Sequence, residues 1–223
     1  MKVMPWSHSR LEDFKNCPRA FYEKQIAKSV VETKGEATIW GEVVHKHFED
    51  RLTSGVVLPR ELEMHEDFLA RLEALPGTLT AEERIALNLQ GQPCGFFDAD
   101  VWYRGVIDVK ILDTRHALLI DHKTGKHHSK FNQLRLFALH TFAKYPTIET
   151  IRCEYYWTQT MTKNGESYTR DMIPGLWVGF IPDLKQYAAA FKTDTWQPRQ
   201  SGLCNGWCPV TDCEFWKPKR KRN

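Results

Sequence analysis

Residues 105–125 read GVIDVKILDTRHALLIDHKTG, two apolar stretches separated by a short polar turn. Val, Ile and Leu dominate both stretches, which predicts β-strands over Gly105–Leu112 and Ala117–Lys123. Asp108 lies in the first stretch and Asp121 near the end of the second. If the strands form a hairpin centred on the polar turn, the two carboxylates face each other on one side of the sheet, with Cβ atoms about 5 Å apart.

Such a pair of carboxylates predicts a metal site. Two anions at that distance repel each other unless a cation lies between them, and Mg²⁺ or Mn²⁺ prefers oxygen ligands. The D-x-K pattern occurs four times in the chain, so context selects Asp121, which ends a buried strand beside a Gly-containing loop. The spacing also allows the alternative that one Asp faces solvent.

His45 is a candidate third ligand from a neighbouring helix. Together with Phe48 it follows the inward stripe of a helix predicted over Gly41–Leu52. A lone His on an apolar face is more often a core residue than a ligand, so both interpretations stay open at this stage.

The other apolar patterns predict a helical N-terminal region followed by a mixed sheet with helices. This order is typical of an α/β domain and not of an alternating Rossmann chain. A capping box at Ser9 begins the first helix and Pro18 interrupts it. Further helices are expected over Glu61–Leu75, Ala81–Leu89, Phe131–Lys144 and Asp183–Phe191, and further strands over Phe96–Tyr103 and Ile151–Thr158, the last followed by a hairpin turn at Asn164-Gly165.

The length of 223 residues suits one domain, which we divide into a helical region (1–92), a catalytic core (93–192) and a Cys-rich tail (193–223). No bilayer-length apolar run or signal-peptide pattern occurs, so we expect a cytoplasmic protein without membrane contact. The net charge is +3, and the basic tail suits either a phosphate backbone or a solvated chain end. Its candidate DNA contacts are Lys217, Lys219, Arg220, Lys221 and Arg222.

Six cysteines in a chain without a signal peptide favour metal or redox chemistry over disulfides. Cys94 and Cys153 stand alone in strand-like surroundings, where a small buried hydrophobe is expected. Four others suit either a [4Fe–4S] cluster or tetrahedral zinc that ties the two chain ends together. They are Cys17, Cys204, Cys208 and Cys213.

Five segments together resemble the RecB-like branch of the PD-(D/E)XK nucleases, and most of all its iron–sulfur members, the CRISPR-associated RecB-like exonucleases and the AddB-type nuclease domains. The motifs occur in the family's order and cover most of the chain. They are S-x-L-x-x-F-x-x-C-P-R-x-F-Y at Ser9–Tyr22, G-x-x-x-H at Gly41–His45, G-x-x-D at Gly105–Asp108, D-x-K-T-G at Asp121–Gly125 and Q-L at Gln133-Leu134.

The resemblance implies a restriction-endonuclease-like core, a mixed central sheet flanked by helices, and a nuclease that cuts DNA with Mg²⁺ or Mn²⁺ to leave 5′-phosphate ends. Lys123 would position the attacking water, Gln133 would contact the site, and Lys126 is a further candidate DNA contact. The implied metal ligands are His45, Asp108, Asp121 and the main-chain carbonyl of His122.

Two positions depart from the family pattern. Phe137 stands where the family has a helix tyrosine, so a hydroxyl contact is missing. The C-terminal cysteines run C-x3-C-x4-C instead of C-x2-C-x5-C, which displaces the middle ligand. The resemblance nevertheless favours an iron–sulfur cluster over zinc.

The expected function is an exonuclease acting on DNA ends or single strands in recombination, repair, viral DNA processing or CRISPR adaptation. A helicase, a recombinase or a CRISPR integrase chain is the kind of partner it implies. A structure-specific endonuclease or nickase and a non-catalytic DNA-binding subunit are the alternatives.

Overall fold

The computed structural model describes residues 3–219, which contain seven α-helices and five β-strands. The helices are α1 (His8–Asn16), α2 (Pro18–Phe21), α3 (Glu36–Ser54), α4 (Glu66–Glu73), α5 (Asn132–Lys144), α6 (Ile173–Val178) and α7 (Ile181–Thr193). The strands are β1 (Thr78–Asn88), β2 (Val101–Leu112), β3 (His116–Lys123), β4 (Thr150–Trp157) and β5 (Thr162–Thr169). Short 3-10 helices occupy Arg60–His65, Arg170–Met172 and Gly202–Cys204, and a π-helix occupies Tyr22–Ile26.

The chain divides into two compact units, Met1–Thr33 with Trp177–Asn223 and Lys34–Leu176. The second unit contains the sheet, whose strands follow the order β1-β2-β3-β4-β5. Strands β3 and β4 are parallel, and the other neighbouring pairs are antiparallel. The mixed sheet predicted from the sequence is therefore confirmed.

The predicted hairpin register is also confirmed. Strand β2 pairs with β3 through Val109↔Ile120 and the three following pairs towards the turn. One face of this hairpin is anchored in the core, because Val109 and Ile120 pack with Val44 and Phe48 of α3. Continuing the register by one residue brings Asp108 opposite Asp121.

The helix predicted over Ala81–Leu89 is wrong, because this segment lies in strand β1. Its Ala, Glu and Leu residues have high helix propensity, but pairing with β2 along almost the whole of β1 outweighs that local preference. The helical region therefore ends before Thr78 and not at residue 92. The strand predicted over Phe96–Tyr103 is correct only from Val101 onwards, where it continues through Gly105 as β2.

The hairpin turn predicted at Asn164-Gly165 is also misplaced. Both residues lie inside β5, and the turn between β4 and β5 occupies residues 158–161. Gly165 is needed for close packing instead, because a Cβ atom at this position would collide with the carbonyl oxygen of Cys153.

The first unit contains α1, α2 and α7 around an aromatic core. Phe14 and Phe21 pack edge to face, and both contact the rings of Tyr187 and Trp196. Helix α1 begins two residues earlier than predicted, because its N-cap is Ser7, whose hydroxyl accepts from the Arg10 amide. In the described part of the chain, no helix is both long and apolar enough to cross a membrane.

Candidate active site

Asp108 and Asp121 are both buried, with 7% and 2% of their surface exposed. The backbone N–H of His122 donates to Asp108 Oδ2 over 2.7 Å, and His45 Nδ1 lies 3.2 Å from the same oxygen. Burial and the charge of Asp121 raise the pKa of Asp108 to about 6, although the hydrogen bond from His45 opposes this shift. A buried carboxylate pair of this kind favours a bound cation.

His45 reaches this site from α3, between the buried residues Val44 and Phe48. Its imidazole is not enclosed by apolar groups, since Nδ1 lies 3.2 Å from Asp108 and 3.8 Å from Glu82. Burial lowers the pKa of His45, but its contacts with the carboxylates of Asp108 and Glu82 outweigh this effect and raise it to about 10. The partners of His45 are thus those of a ligand or an ion pair, and not those of an inert core residue.

Asp121, Lys123 and Gln133 form a closed triangle of one ion pair and two hydrogen bonds. Lys123 Nζ lies 2.5 Å from Asp121 Oδ2 and donates to Gln133 Oε1 over 2.8 Å. Gln133 Nε2 in turn donates to Asp121 Oδ1 over 2.5 Å. Helix α5, predicted correctly from the sequence, supplies Gln133 at its first turn. The structure thus brings together all three residues that the D-x-K and Q-L motifs singled out.

An aromatic side chain lies beside this triangle. Tyr155 pairs with Asp121 across β3 and β4, and the Lys123 ammonium lies 5.1 Å from the centre of its ring. Its hydroxyl donates to the carbonyl oxygen of Lys130. Phe137, at the position of the family's helix tyrosine, is fully buried.

Glu82 is a site residue that the sequence reasoning missed. It lies between the pairs Ala81↔Val109 and Glu83↔Ile107, and so opposite Asp108. Its φ of 50° is in the left-handed region, which non-glycine residues seldom adopt outside turns and functional sites. The incorrect helix over residues 81–89 concealed Glu82, whereas a strand there would have aligned it with Asp108.

His122 contributes more than the main-chain carbonyl considered from the sequence. Its imidazole is 2% exposed, and its Nδ1 lies 3.6 Å from Asp108 Oδ2. Ligand atoms of His45, Asp108 and His122 all lie within 4.8 Å of one another. Burial, together with the nearby positive charge of His45, holds the pKa of His122 well below its usual value. A neutral imidazole is the form that binds metals.

A groove of about 710 Å³ opens over these residues. Helix α3 forms one wall, including Gly41 and His45, and Glu82 with the loop Lys123–Gly125 forms the other. At Gly41 a side chain would press on Thr124, since a Cβ atom would lie 3.1 Å from its hydroxyl oxygen. The small residue keeps helix and loop close together at the groove.

The other unit holds the candidate cysteine site. Cys17, Cys204, Cys208 and Cys213 line one cavity of about 110 Å³. Although all four are described, no three of their sulfur atoms lie within 4.8 Å of one another. Backbone N–H groups of Arg199 and Ser201 donate to the sulfurs of Cys17 and Cys204, respectively.

The two remaining cysteines differ from each other. Cys153 is fully buried in β4 and its Sγ donates to the carbonyl of Leu134, as expected for a core residue. Cys94 lies half-buried in the loop between β1 and β2 and not in a strand.

The candidate DNA contacts lie in two separate parts of the sequence, after the groove loop and in the C-terminal tail. Lys126 is exposed just beyond the groove loop. Lys217 donates its backbone N–H to Cys204, and the Lys219 ammonium lies 3.8 Å from the centre of the Trp207 ring. The basic residues Arg220, Lys221 and Arg222 lie outside the described residues.

A family model described as the PD-(D/E)XK nuclease superfamily matches residues 5–99, a segment that includes His45 and Glu82. The crystal structure of an Eubacterium rectale protein named "Putative exonuclease" is similar, with a TM-score of 0.57 and 14% identity over 91% of this chain and 86% of that chain. That of SSO0001 has a TM-score of 0.46 and 15% identity over 92% of this chain and 84% of that chain. No curated protein matches the chain.

The fold is the PD-(D/E)XK nuclease fold, a mixed five-stranded sheet flanked by helices. The group around Asp108 is a candidate acidic and histidine metal site within that fold. The RecB-like and iron–sulfur affiliations stay predictions.

Proposed function

We propose that this chain is a divalent-metal-dependent DNA exonuclease that hydrolyses phosphodiester bonds at DNA ends or in single strands and leaves 5′-phosphate products. The observation that carries the proposal is the buried carboxylate pair with His45 on one side and the Lys123–Gln133 contacts on the other. Non-catalytic DNA binding would not require this arrangement.

The donor set fits a hard cation. Asp108 and Glu82 offer carboxylate oxygens beside the ring nitrogen of His45, and the Asp121 carboxylate, opposite Asp108 in the strand register, offers a further oxygen ligand. We propose Mg²⁺ or Mn²⁺ at Asp108, Asp121 and His45, with Glu82 as a further ligand and His122 supporting Asp108. Such a cation, when bound, activates water and relieves charge on the phosphate.

The chain's own groups then orient the reaction. The Lys123 ammonium carries positive charge to where the attacking oxygen and the phosphate would meet, which stabilises the developing negative charge. The Gln133 amide binds Lys123 and Asp121 at once, so it fixes the direction of both side chains. Burial of Asp108 and Asp121 excludes competing water and strengthens these interactions.

The test compares Mg²⁺- and Mn²⁺-dependent hydrolysis of end-labelled DNA by wild type, Asp121→Ala and Asp183→Ala. Asp183 also belongs to a D-x-K sequence, but it lies in the first turn of α7 and pairs with Lys15. We expect Asp121→Ala to abolish hydrolysis and Asp183→Ala to retain it. Hydrolysis by Asp121→Ala at the wild-type rate would reject the site.

At the cysteine site we propose a [4Fe–4S] cluster. Four thiolates suit either a cluster or tetrahedral zinc, and the resemblance of the cysteine-containing segments to the iron–sulfur nucleases favours the cluster. The cavity of about 110 Å³ also has room for several water molecules, more than a single ion needs. Protein purified without oxygen should absorb broadly near 400 nm and contain iron and sulfide. A colourless protein with one zinc per chain would reject the cluster.

A further inference from the structure

Two aromatic rings and two guanidinium groups form a surface cluster at the end of the β1–β2 pair. It consists of Arg84, Phe96, Phe97 and Arg104, and we call it the Phe–Arg cluster. The two rings meet edge to face with their centres 5.1 Å apart. Each guanidinium lies between 5.2 and 5.9 Å from both ring centres. Cation–π contacts at these distances hold the rings in place.

The cluster is open to solvent. Phe97 is 75% exposed, and Arg84 is exposed as well. A single exposed ring is ordinary on a protein surface. Here, however, the Phe97 ring is held in position by the guanidinium groups of Arg84 and Arg104, which lie on the paired strands β1 and β2.

The same two strands lead from the cluster to the candidate active site. Arg84 follows Glu82 by two residues on β1, and Arg104 precedes Asp108 by four residues on β2. Within β2 the even spacing places Arg104 on the same side of the strand as Asp108. At the usual rise per residue, Arg84 is about 7 Å and Arg104 about 13 Å along the strand from these acids.

We propose that the Phe–Arg cluster binds unpaired bases of the DNA strand whose phosphate lies at the Asp108–Asp121 site. This inference rests on the proposed nuclease function and deepens it, because it assigns a surface of this chain to the bases of the strand that is cut. Every base offers a flat face to an aromatic ring, so such binding is independent of sequence. Duplex DNA keeps those faces stacked within itself.

Stacking, and not net charge, supplies the affinity of the cluster. Asp98 and Asp100 lie in the same loop, within 4.8 Å of Cys94, and offset the two arginine charges. Asp98 also accepts a hydrogen bond from the backbone N–H of Gly95, which shapes the loop. The contribution of the rings should therefore persist as the salt concentration rises, whereas that of phosphate contacts falls.

The test measures binding of the full chain to a fluorescent single-stranded oligonucleotide and to an abasic strand of equal length, without Mg²⁺ or Mn²⁺. Wild type should bind the strand with bases about 10-fold more tightly. Phe96→Ala/Phe97→Ala should lose most of this preference, and Phe97→Ala alone should lose part of it while folding normally, because its ring is mostly exposed. The matched controls are Leu89→Ala in the same loop and Arg115→Ala in the turn between β2 and β3, and both should keep the preference.

Equal binding of both strands by wild type, or an undiminished preference in the double Phe variant, would overturn the inference. If wild type still hydrolyses DNA with Mg²⁺ in that case, only the Phe–Arg cluster assignment is wrong. If wild type neither binds nor hydrolyses any DNA, the proposed function is wrong and this inference falls with it.

Discussion

Metal binding at the candidate active site should compete with a proton on His45. Its contacts with Asp108 and Glu82 raise the pKa of His45 to about 10, so the imidazole is protonated at neutral pH without metal. A metal ligand must be the neutral imidazole, and binding therefore releases one proton. Between pH 6.5 and 8.5 Asp108 is mostly ionised, so the proton on His45 dominates and affinity for Mg²⁺ should rise about tenfold per pH unit. That is about 100-fold, or about 2.7 kcal/mol, over the range.

Calorimetric titration with Mg²⁺ in two buffers of different ionisation enthalpy measures both the affinity and the proton released. His45→Gln should bind more weakly and show a much smaller pH dependence, which comes only from the remaining protonation of Asp108. His116→Gln, an exposed histidine at the start of β3, should behave as wild type. An affinity of the wild type that does not change with pH would refute the assignment of His45.

Further predictions concern catalysis, the cysteine site, acid stability and the tail. Lys123→Ala should lower turnover about 100-fold or more with Mg²⁺ affinity kept within a few-fold, as kinetics and titration would show. Cys204→Ser should lose the bound metal and melt at a lower temperature, whereas Cys153→Ser should keep its metal. Burial lowers the pKa of His140 to about 4. The unfolded chain therefore binds a proton that the folded chain does not, and stability falls as pH drops from 6.5 to 4, by up to about 3 kcal/mol. His140→Gln should flatten that decline in pH-dependent melts. Deleting Arg220–Asn223 should reduce the salt slope of single-strand binding by up to about 2, and an unchanged slope would mean that these residues do not contact phosphate.

Strands β2 and β3 at the centre of the sheet could be predicted, because their apolar residues are stable only in a buried environment. The apolar residues around Asp108 and Asp121 fit a pleated, buried surface, and the short polar turn between them fixes their register. The same rule aligns the two carboxylates from the sequence alone.

The edge of the sheet was not predictable in this way. Strand β1 contains Ala81-Glu82-Glu83, residues that favour a helix locally, and its strand conformation depends on pairing with β2. Because a helix was predicted for this segment, Glu82 was not recognised as a site residue. At Gly165 the sequence signalled a turn, but its role is close contact with β4, which only the tertiary structure reveals.

Digestion of linear and circular single-stranded DNA with Mg²⁺, by anaerobically purified wild type and by Asp108→Ala, tests the central claim most directly. Wild type should release 5′-phosphate products from the end-labelled linear strand and leave the circle intact. Asp108→Ala should fold and release nothing. Cutting of the circle would contradict the exonuclease assignment, and a wild type inactive on every strand, or an Asp108→Ala variant as active as wild type, would contradict the account of the active site.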